Sequence, residues 1–239
     1  MTTEIVVHGK IELALHHLRP AASDTLTTGT GTNGTGTNGI GTRPLLLLHG
    51  LGESSPTDVP WYVATWPGPI AALDFTGHGD SSVSRGGGYT AEILLADADA
   101  ALGALTDGDP ERAITVLGRG LGAYIALLLA GARPTQVHGA ILADGPGLAG
   151  GPTGPTSQSF FSLPTDGSSP DPYALVELGR DLRPPDYAAS FVRLALAGSA
   201  LDEPIAVTAV VRPDWLDAVA REHGVMDVTL AEALAVYVD

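Results

Sequence analysis

The chain has 239 residues, 44% of them hydrophobic and 16% charged, and its formal net charge is −15. This composition is typical of one globular domain with a substantial core, and it excludes wholesale disorder. The negative charge repels nucleic acid and anionic membranes, so we expect neither as a partner.

The sequence contains no cysteine, which excludes disulfides, thiolate catalysis and cysteine-ligated metal. The first residues show no basic segment followed by an apolar core, as a signal peptide would. No apolar run approaches the ~20 residues that a membrane span needs. We therefore expect a soluble, cytoplasmic protein.

Two β-like runs open the chain, residues 4–8 and 11–18, and the Gly9–Lys10 pair between them predicts an antiparallel hairpin. This hairpin carries three histidines, His8, His16 and His17. They could suggest a metal site, but no carboxylate cluster accompanies them in the sequence. We therefore expect solvent-facing strand residues and no metal.

Residues 29–42 read GTGTNGTGTNGIGT, a five-residue unit given twice, without apolar periodicity. Such a Gly/Thr/Asn-rich segment predicts a flexible loop. A phosphate-binding loop would need a lysine and a following helix, and neither is present. The sequence thus predicts no cofactor.

Apolar runs at residues 44–49 and 69–75 predict two buried strands of a parallel sheet. The first ends in His49 and Gly50, and the second leads into the turn ALDFTGHGDSS. Residues 89–105 then predict an amphipathic helix capped by Thr90.

The central stretch is residues 112–133, RAITVLGRGLGAYIALLLAGAR, in which a five-residue strand runs into Gly118, Gly120 and Gly122 and then an apolar helix. A strand that turns abruptly into a helix needs glycines around its strained tip, where backbones pass closely. The pattern matches the nucleophile elbow G-x-S-x-G except at its middle, where Gly120 replaces serine.

The rest of the chain alternates between predicted strands and helices. Residues 137–143 predict a strand ending at Asp144, and residues 145–172 are rich in Pro, Gly and Ser and predict an irregular crossing. The later elements are helices at 173–182 and 186–200, a strand at 204–211, a helix at 215–222, a short strand at 225–230 and a helix at 231–238.

Five segments occur in the order of the α/β-hydrolase family: LLLLHGLG, ALDFTGHGDSS, VLGRGLGAYIALLLA, HGAILADGPG and PIAVTAVVRPDW. The chain therefore resembles that family over most of residues 44–215. The resemblance implies one α/β domain over residues 1–239, with a mostly parallel sheet, an N-terminal antiparallel hairpin and helices on both faces. It also implies a small lid within residues 145–200, with candidate pocket residues Phe160, Phe161, Leu163, Tyr173, Tyr187 and Phe191.

The resemblance further implies where an oxyanion hole would lie. The His49–Gly50 turn would place the Leu51 N–H as one donor, and the Leu121 N–H, just past the elbow tip, would be the other. A tight glycine turn that His49 holds by a hydrogen bond is compatible with this role. Arg119, beside the tip, stays protonated and is a poor nucleophile.

A serine hydrolase also needs an imidazole and a carboxylate. The resemblance offers Asp214, or alternatively Asp144, as the acid. No histidine follows His223, which lies only nine positions after Asp214 at the end of a predicted helix. His223 fits a helix C-terminal residue, favoured by the helix dipole, better than a catalytic base.

Loss of a whole triad costs roughly six powers of ten in turnover. Three hypotheses follow: a non-catalytic protein that binds a small apolar, ester-like or carboxylate ligand; an enzyme that uses His223 and Asp214 without serine; and an interaction scaffold, such as a homodimer. The elbow wording GRGLGAYI also resembles the non-catalytic N-myc downstream-regulated branch of the family.

Overall fold

The computed structural model describes residues 1–20, 42–151 and 169–238. The predicted loop at 29–42, except Thr42, lies outside the described residues. So do Phe160, Phe161 and Leu163 of the predicted pocket wall.

Within the described ranges, eight strands form one sheet. They are β1 (Thr2–His8), β2 (Ile11–Arg19), β3 (Leu45–Leu48), β4 (Ile70–Leu73), β5 (Ile114–Arg119), β6 (Val137–Ala143), β7 (Ile205–Val207) and β8 (Val225–Asp227). The helices are α1 (Ala91–Leu105), α2 (Leu121–Ala132), α3 (Pro172–Arg180), α4 (Pro185–Gly198), α5 (Asp214–Ala220) and α6 (Leu230–Val236), besides a 3₁₀ turn at Trp61–Val63. None of these helices has both the length and the apolar character that a membrane span requires.

The strand order is β1-β2-β4-β3-β5-β6-β7-β8. The hairpin β1–β2 is antiparallel and joins β4 in antiparallel register, whereas β3 to β8 all run parallel. The mostly parallel sheet with an N-terminal antiparallel hairpin is therefore confirmed. All carboxyl ends of β3 to β8 meet at one edge, and the elbow follows β5 at that edge.

Helices cover both faces of the sheet, as predicted. One apolar layer joins the sheet to α1, α2, α4 and α5, and the other joins it to α6 and the 3₁₀ turn. The helix α2 is buried along nearly its whole length, because it packs against β5, β6, α1 and α4. The elbow is thus fixed by a rigid strand on one side and a buried helix on the other.

Two predicted strands were too long. β7 ends at Val207 rather than residue 211, because the N–H groups of Val210 and Val211 donate to the Asp144 carboxylate instead of a neighbouring strand. β8 ends at Asp227 because Thr229 begins the capping box of α6 with Glu232. The predicted cap of α1 is confirmed, since the Thr90 side chain accepts from the Ile93 N–H.

Of the predicted lid, residues 145–200, the described parts contact the core directly. α4 packs against α2 and α5. α3 lies over the start of α1, where Glu177 accepts hydrogen bonds from the N–H groups of Gly88 and Tyr89. Tyr173 and Tyr187 are exposed by 44% and 41%.

Candidate functional site

The elbow tip has the backbone geometry of a nucleophile elbow but no room for a side chain. Gly120 has φ 58° and ψ −119°, a region that residues other than glycine rarely adopt. A Cβ at this position would lie 2.0 Å from the carbonyl oxygen of Pro146 and 2.6 Å from the carbonyl carbon of Gly145. The loop that follows β6 therefore occupies the space into which a serine side chain would project.

The carbonyl oxygen of Pro146 accepts two backbone hydrogen bonds, from Leu51 N–H at 3.0 Å and from Leu121 N–H at 2.9 Å. These are the two groups that the family resemblance suggested as oxyanion donors. They converge on one oxygen, as an oxyanion hole requires. In this structure the oxygen belongs to the chain itself, so a ligand carbonyl would have to displace it.

The segment that carries Pro146, residues 144–148 (the elbow loop), is fixed at both ends. The Asp144 carboxylate accepts from Val210 N–H at 2.7 Å and Val211 N–H at 3.0 Å. At the other end, Trp215 Nε1 donates to Leu148 O at 2.8 Å. Asp144 is thereby engaged by the backbone, which argues against its role as a triad acid.

Arg183 adds a buried charge beneath the elbow loop. Its Nη1 donates to the carbonyl oxygens of Gly147 and Leu148, and its guanidinium lies 4.9 Å from the centre of the Tyr124 ring. Only 4% of Arg183 is exposed, and burial lowers its pKa to about 10, so it stays charged at neutral pH. Its Nε and Nη2 have no hydrogen-bond partner in the part of the chain that the structure describes.

The turn after β3 is held by His49. Its Nε2 accepts from Phe75 N–H at 3.2 Å, so the proton lies on Nδ1, which donates to Gly50 O at 2.8 Å. Burial, followed by the neighbouring His78, lowers the pKa of His49 to about 4. His49 is therefore a neutral structural residue whose two ring nitrogens are both engaged, in keeping with its predicted hydrogen-bonding role.

His78 lies beside His49, with ring centres 5.1 Å apart. Its Nε2 accepts from Gly52 N–H at 3.2 Å, and its Nδ1 donates to Thr76 O at 3.3 Å. Burial lowers its pKa. This imidazole also serves the backbone rather than a reacting group.

Arg119 lies next to the elbow tip and points toward an open space. Its Nη1 lies 3.3 and 3.2 Å from Oε1 and Oε2 of Glu53, and Glu53 Oε2 also accepts from Gly50 N–H at 2.9 Å. The adjoining cavity, here called the Arg119 cavity, has a volume of about 240 Å³. Its lining includes the apolar side chains of Leu47, Ala72 and Leu117 and the polar side chains of Glu53, Tyr62 and Arg119.

His223 and Asp214 lie at different edges of the sheet. Asp214 is exposed at the start of α5, just after β7, and so lies at the elbow edge. His223 is exposed in the turn that precedes β8, and because β8 runs parallel to β5, this turn lies at the opposite edge. The fold does not bring this pair together.

Of the three hairpin histidines, which the sequence predicted to face solvent, His16 is buried, whereas the side chains of His8 and His17 are 34% and 29% exposed. His16 is only 3% exposed and its Nε2 lies 3.0 Å from Asp74 Oδ2. Two more such pairs are His8–Asp97 at 3.0 Å and His17–Glu4 at 2.9 Å. Glu4 lies on β1 of the same hairpin, whereas the strand alternation gave no sign that Asp74 and Asp97 would contact His16 and His8.

Within the described residues, one group of side chains could hold a metal ion: His16, Asp74 and Asp80. The Asp74 carboxylate already accepts from Ser55 N–H at 2.6 Å, Asp80 N–H at 2.8 Å and His16. Burial raises the pKa of Asp74, but these hydrogen bonds outweigh it, and the net pKa is lowered. Asp74 therefore has a structural role, because its carboxylate connects the backbone at Ser55 and Asp80 to the side chain of His16.

Comparison with known proteins gives the following matches. Residues 42–161 match the family model described as serine aminopeptidase, S33. The thioesterase domain from the curacin biosynthetic pathway superposes with a TM-score of 0.59 at 15% identity, over 99% of this chain and 97% of that domain. N-formylmaleamic acid deformylase from Pseudomonas putida superposes with a TM-score of 0.58 at 16% identity, over 95% of this chain and 92% of that protein. At these identities the structures share the fold alone.

A hydrolase from Pseudomonas aeruginosa matches at 22% identity with a TM-score of 0.41, over 59% of this chain. The match spans 45% of the length of that hydrolase. No curated protein sequence matches the chain.

Proposed function

The chain belongs to the serine aminopeptidase S33 family, whose model matches residues 42–161, half of the chain, and we propose that it binds a small molecule without hydrolysing it. The observation that carries this proposal is the position of Pro146 O, which receives both candidate oxyanion donors. A site whose donors are satisfied internally does not stabilise a tetrahedral intermediate.

Three further features support the absence of serine-type hydrolysis. Gly120 offers no hydroxyl, and a Cβ there meets the backbone of the elbow loop. The imidazoles of His49 and His78, which follow β3 and β4, have both ring nitrogens engaged. His223 lies at the far edge.

The magnitudes agree with this proposal. A missing triad costs roughly six powers of ten in turnover, and an intact oxyanion hole retains on the order of 10³ to 10⁴ over water. With Pro146 O in place, that remainder is also lost.

The Arg119 cavity supports ligand binding. It lies at the carboxyl ends of β3 and β5, where parallel α/β sheets bind ligands. Its volume of about 240 Å³ is below the ~300–1,000 Å³ of drug-sized pockets. We therefore expect a small molecule held by Arg119 and the apolar floor.

The catalytic half of the proposal is tested with p-nitrophenyl esters and a fluorophosphonate probe on the wild-type protein and on Gly120→Ser. We expect no turnover and no label on the wild type. Enzyme-like turnover, or an acyl or phosphonyl adduct on the wild type, would overturn the proposal.

The binding half is tested by calorimetry with butyrate, isobutylamine and L-leucine on the wild type and on Ser54→Trp. Ser54 is an exposed residue on the rim, so an indole there blocks the Arg119 cavity without entering the core. Binding of at least one probe to the wild type, and its loss in Ser54→Trp, supports the proposal. Binding of none of them contradicts it.

An interaction role remains the second hypothesis, because large apolar side chains are exposed. Trp61 and Val210 are each 87% exposed and Val211 is 67% exposed. A concentration-dependent increase in mass by light scattering, abolished by Trp61→Ser or Val210→Ser, would favour self-association.

A further inference from the structure

We propose that the Arg119 cavity is built for a small zwitterion, namely an α-amino acid with an apolar side chain. This inference rests on the proposed function of the cavity as a ligand site. It is carried by the juxtaposition of a partly exposed Arg119–Glu53 pair with an apolar floor.

Both charges of the pair are held in place yet accessible. Arg119 immediately precedes Gly120 at the rigid elbow, and Glu53 is oriented by the N–H of Gly50. Their side chains are 38% and 31% exposed, and the closest distance between them is 3.2 Å. The lining of the cavity thus presents a fixed positive charge beside a fixed negative one.

The charge arrangement selects among ligand classes. A simple anion gains from Arg119 but is repelled by Glu53, and by the net charge of −15 on the chain. A simple cation is repelled by Arg119. A neutral apolar ligand would displace water from both charges without replacing the lost hydrogen bonds, and this desolvation costs free energy.

A zwitterion satisfies both groups at once. Its carboxylate pairs with the Arg119 guanidinium and its ammonium pairs with the Glu53 carboxylate, so two dipoles lie antiparallel. An α-amino acid carries these two charges on one carbon, which matches the short separation of the Arg119–Glu53 pair.

The floor of the cavity determines the side chain of the ligand. Leu47, Ala72 and Leu117 are at most 5% exposed, and their side chains are hydrocarbon. A branched aliphatic side chain fits this surface, whereas a polar or charged one would lose its hydration there. Tyr62 and Ser54 at the wall and rim supply hydroxyl groups.

The test is calorimetry on the full chain with four probes. L-leucine carries both charges, N-acetyl-L-leucine is an anion, L-leucinamide is a cation, and glycine lacks the side chain. We expect leucine to bind at least about tenfold more tightly than N-acetyl-L-leucine and L-leucinamide, because each of these loses one charge-assisted hydrogen bond. We expect a similar advantage over glycine, because glycine buries no apolar side chain.

Two neutral variants sharpen the test. Glu53→Gln retains an oxygen for Gly50 N–H. It should lower the affinity for leucine about tenfold, because the ammonium loses its partner, and raise the affinity for N-acetyl-L-leucine, because a repulsion is removed. Arg119→Gln should lower the affinity for leucine about tenfold and raise the affinity for L-leucinamide. A merely structural role would not produce this crossed pattern. Arg112→Gln, which changes an exposed arginine paired with Asp107, is the matched control and should bind all probes as the wild type does.

The outcomes separate the two proposals. If N-acetyl-L-leucine or butyrate binds as tightly as leucine and is lost in Ser54→Trp, the zwitterion inference fails while the cavity remains a ligand site. If no probe binds the wild type, both proposals fail. Circular dichroism melting confirms that each variant is folded.

Discussion

The carbonyl oxygen of Pro146 lies where the side chain of residue 120 would begin, 2.0 Å from the Cβ that Gly120 lacks. The same oxygen accepts from the N–H groups of Leu51 and Leu121. One backbone atom therefore accounts both for the absence of a nucleophile and for the occupied donor pair. The glycine and the elbow loop are two parts of one arrangement.

A side chain at position 120 should therefore destabilise the fold. We expect Gly120→Ala to lower the free energy of unfolding by about 2–4 kcal/mol, because positive φ costs about 1–3 kcal/mol and the elbow loop must also move. Urea unfolding measures this difference. Gly120→Ser should show a similar loss and no ester turnover.

The matched control is Gly103→Ala in α1, where an added Cβ meets nothing within 4 Å. In a helix interior this change should stabilise the protein by about 0.5–1 kcal/mol. If Gly120→Ala were as stable as the wild type, the elbow loop would not hold the position described here.

The fold could be predicted because its signals are local and repeated. The run Leu45–Leu48, the glycines around the elbow and the apolar α2 each specify an element on their own, and their order specifies the topology. Strand ends were less predictable, since Asp144 and the Thr229 cap terminate β7 and β8 through contacts distant in sequence or outside the strand.

The site was predicted only in part. The sequence indicated Gly120, Leu51 and Leu121, since turn motifs are local. It did not indicate that Pro146 O would accept from the N–H groups of Leu51 and Leu121. Every residue has a carbonyl oxygen, so nothing in the sequence distinguishes this one. Arg183 and Glu53 were also missed, since their partners are backbone atoms or residues many positions away.

Arg183 should hold the elbow loop closed. Arg183→Met keeps the length of the side chain but removes the bonds to Gly147 O and Leu148 O, so buried acceptors lose their donor. We expect a loss of about 1–3 kcal/mol in unfolding free energy, partly offset by the removal of a buried charge. Amide exchange of Leu121 should become at least about tenfold faster, measured by NMR.

Arg221→Met serves as the comparison, because the Arg221 side chain is 74% exposed and pairs with Asp217 on the surface. Its unfolding free energy should stay within about 0.5 kcal/mol of the wild type, with Leu121 exchange unchanged. Equal exchange rates in Arg183→Met and the wild type would show that the guanidinium does not secure the loop.

Asp74 should be a structural residue rather than a catalytic one. The Asp74 carboxylate accepts from Ser55 N–H, Asp80 N–H and His16. Asp74→Asn replaces one acceptor oxygen by an NH₂ group, which then faces at least one of these donors. We expect a loss of at least about 2 kcal/mol by urea unfolding, with leucine affinity retained in the folded fraction. Asp58 is exposed, so Asp58→Asn should change stability by less than about 0.5 kcal/mol. An equally small effect of Asp74→Asn would show that the Asp74 carboxylate does not stabilise the turn.

His49 should make the protein less stable in acid. Its pKa falls from 6.5 to about 4 in the folded state, so between these values the unfolded chain binds a proton that the native state refuses. Stability is therefore full above pH 6.5 and declines as the pH falls toward 4, by about 3 kcal/mol at 1.36 kcal/mol per unit. Burial, with Arg43 nearby, lowers the pKa of His138 as well and adds to the decline. Burial raises the pKa of Asp97, which partly opposes it.

The measurement is the unfolding free energy of His49→Gln between pH 7 and pH 4. Glutamine keeps an acceptor for Phe75 N–H but does not titrate, so this variant should lose stability at pH 7 and show a pH dependence smaller by about 3 kcal/mol. Val116→Ala, a core deletion in β5, lowers stability without removing a titrating group and should keep the wild-type pH dependence. If His49→Gln kept it too, the buried imidazole would not be the group that senses acid.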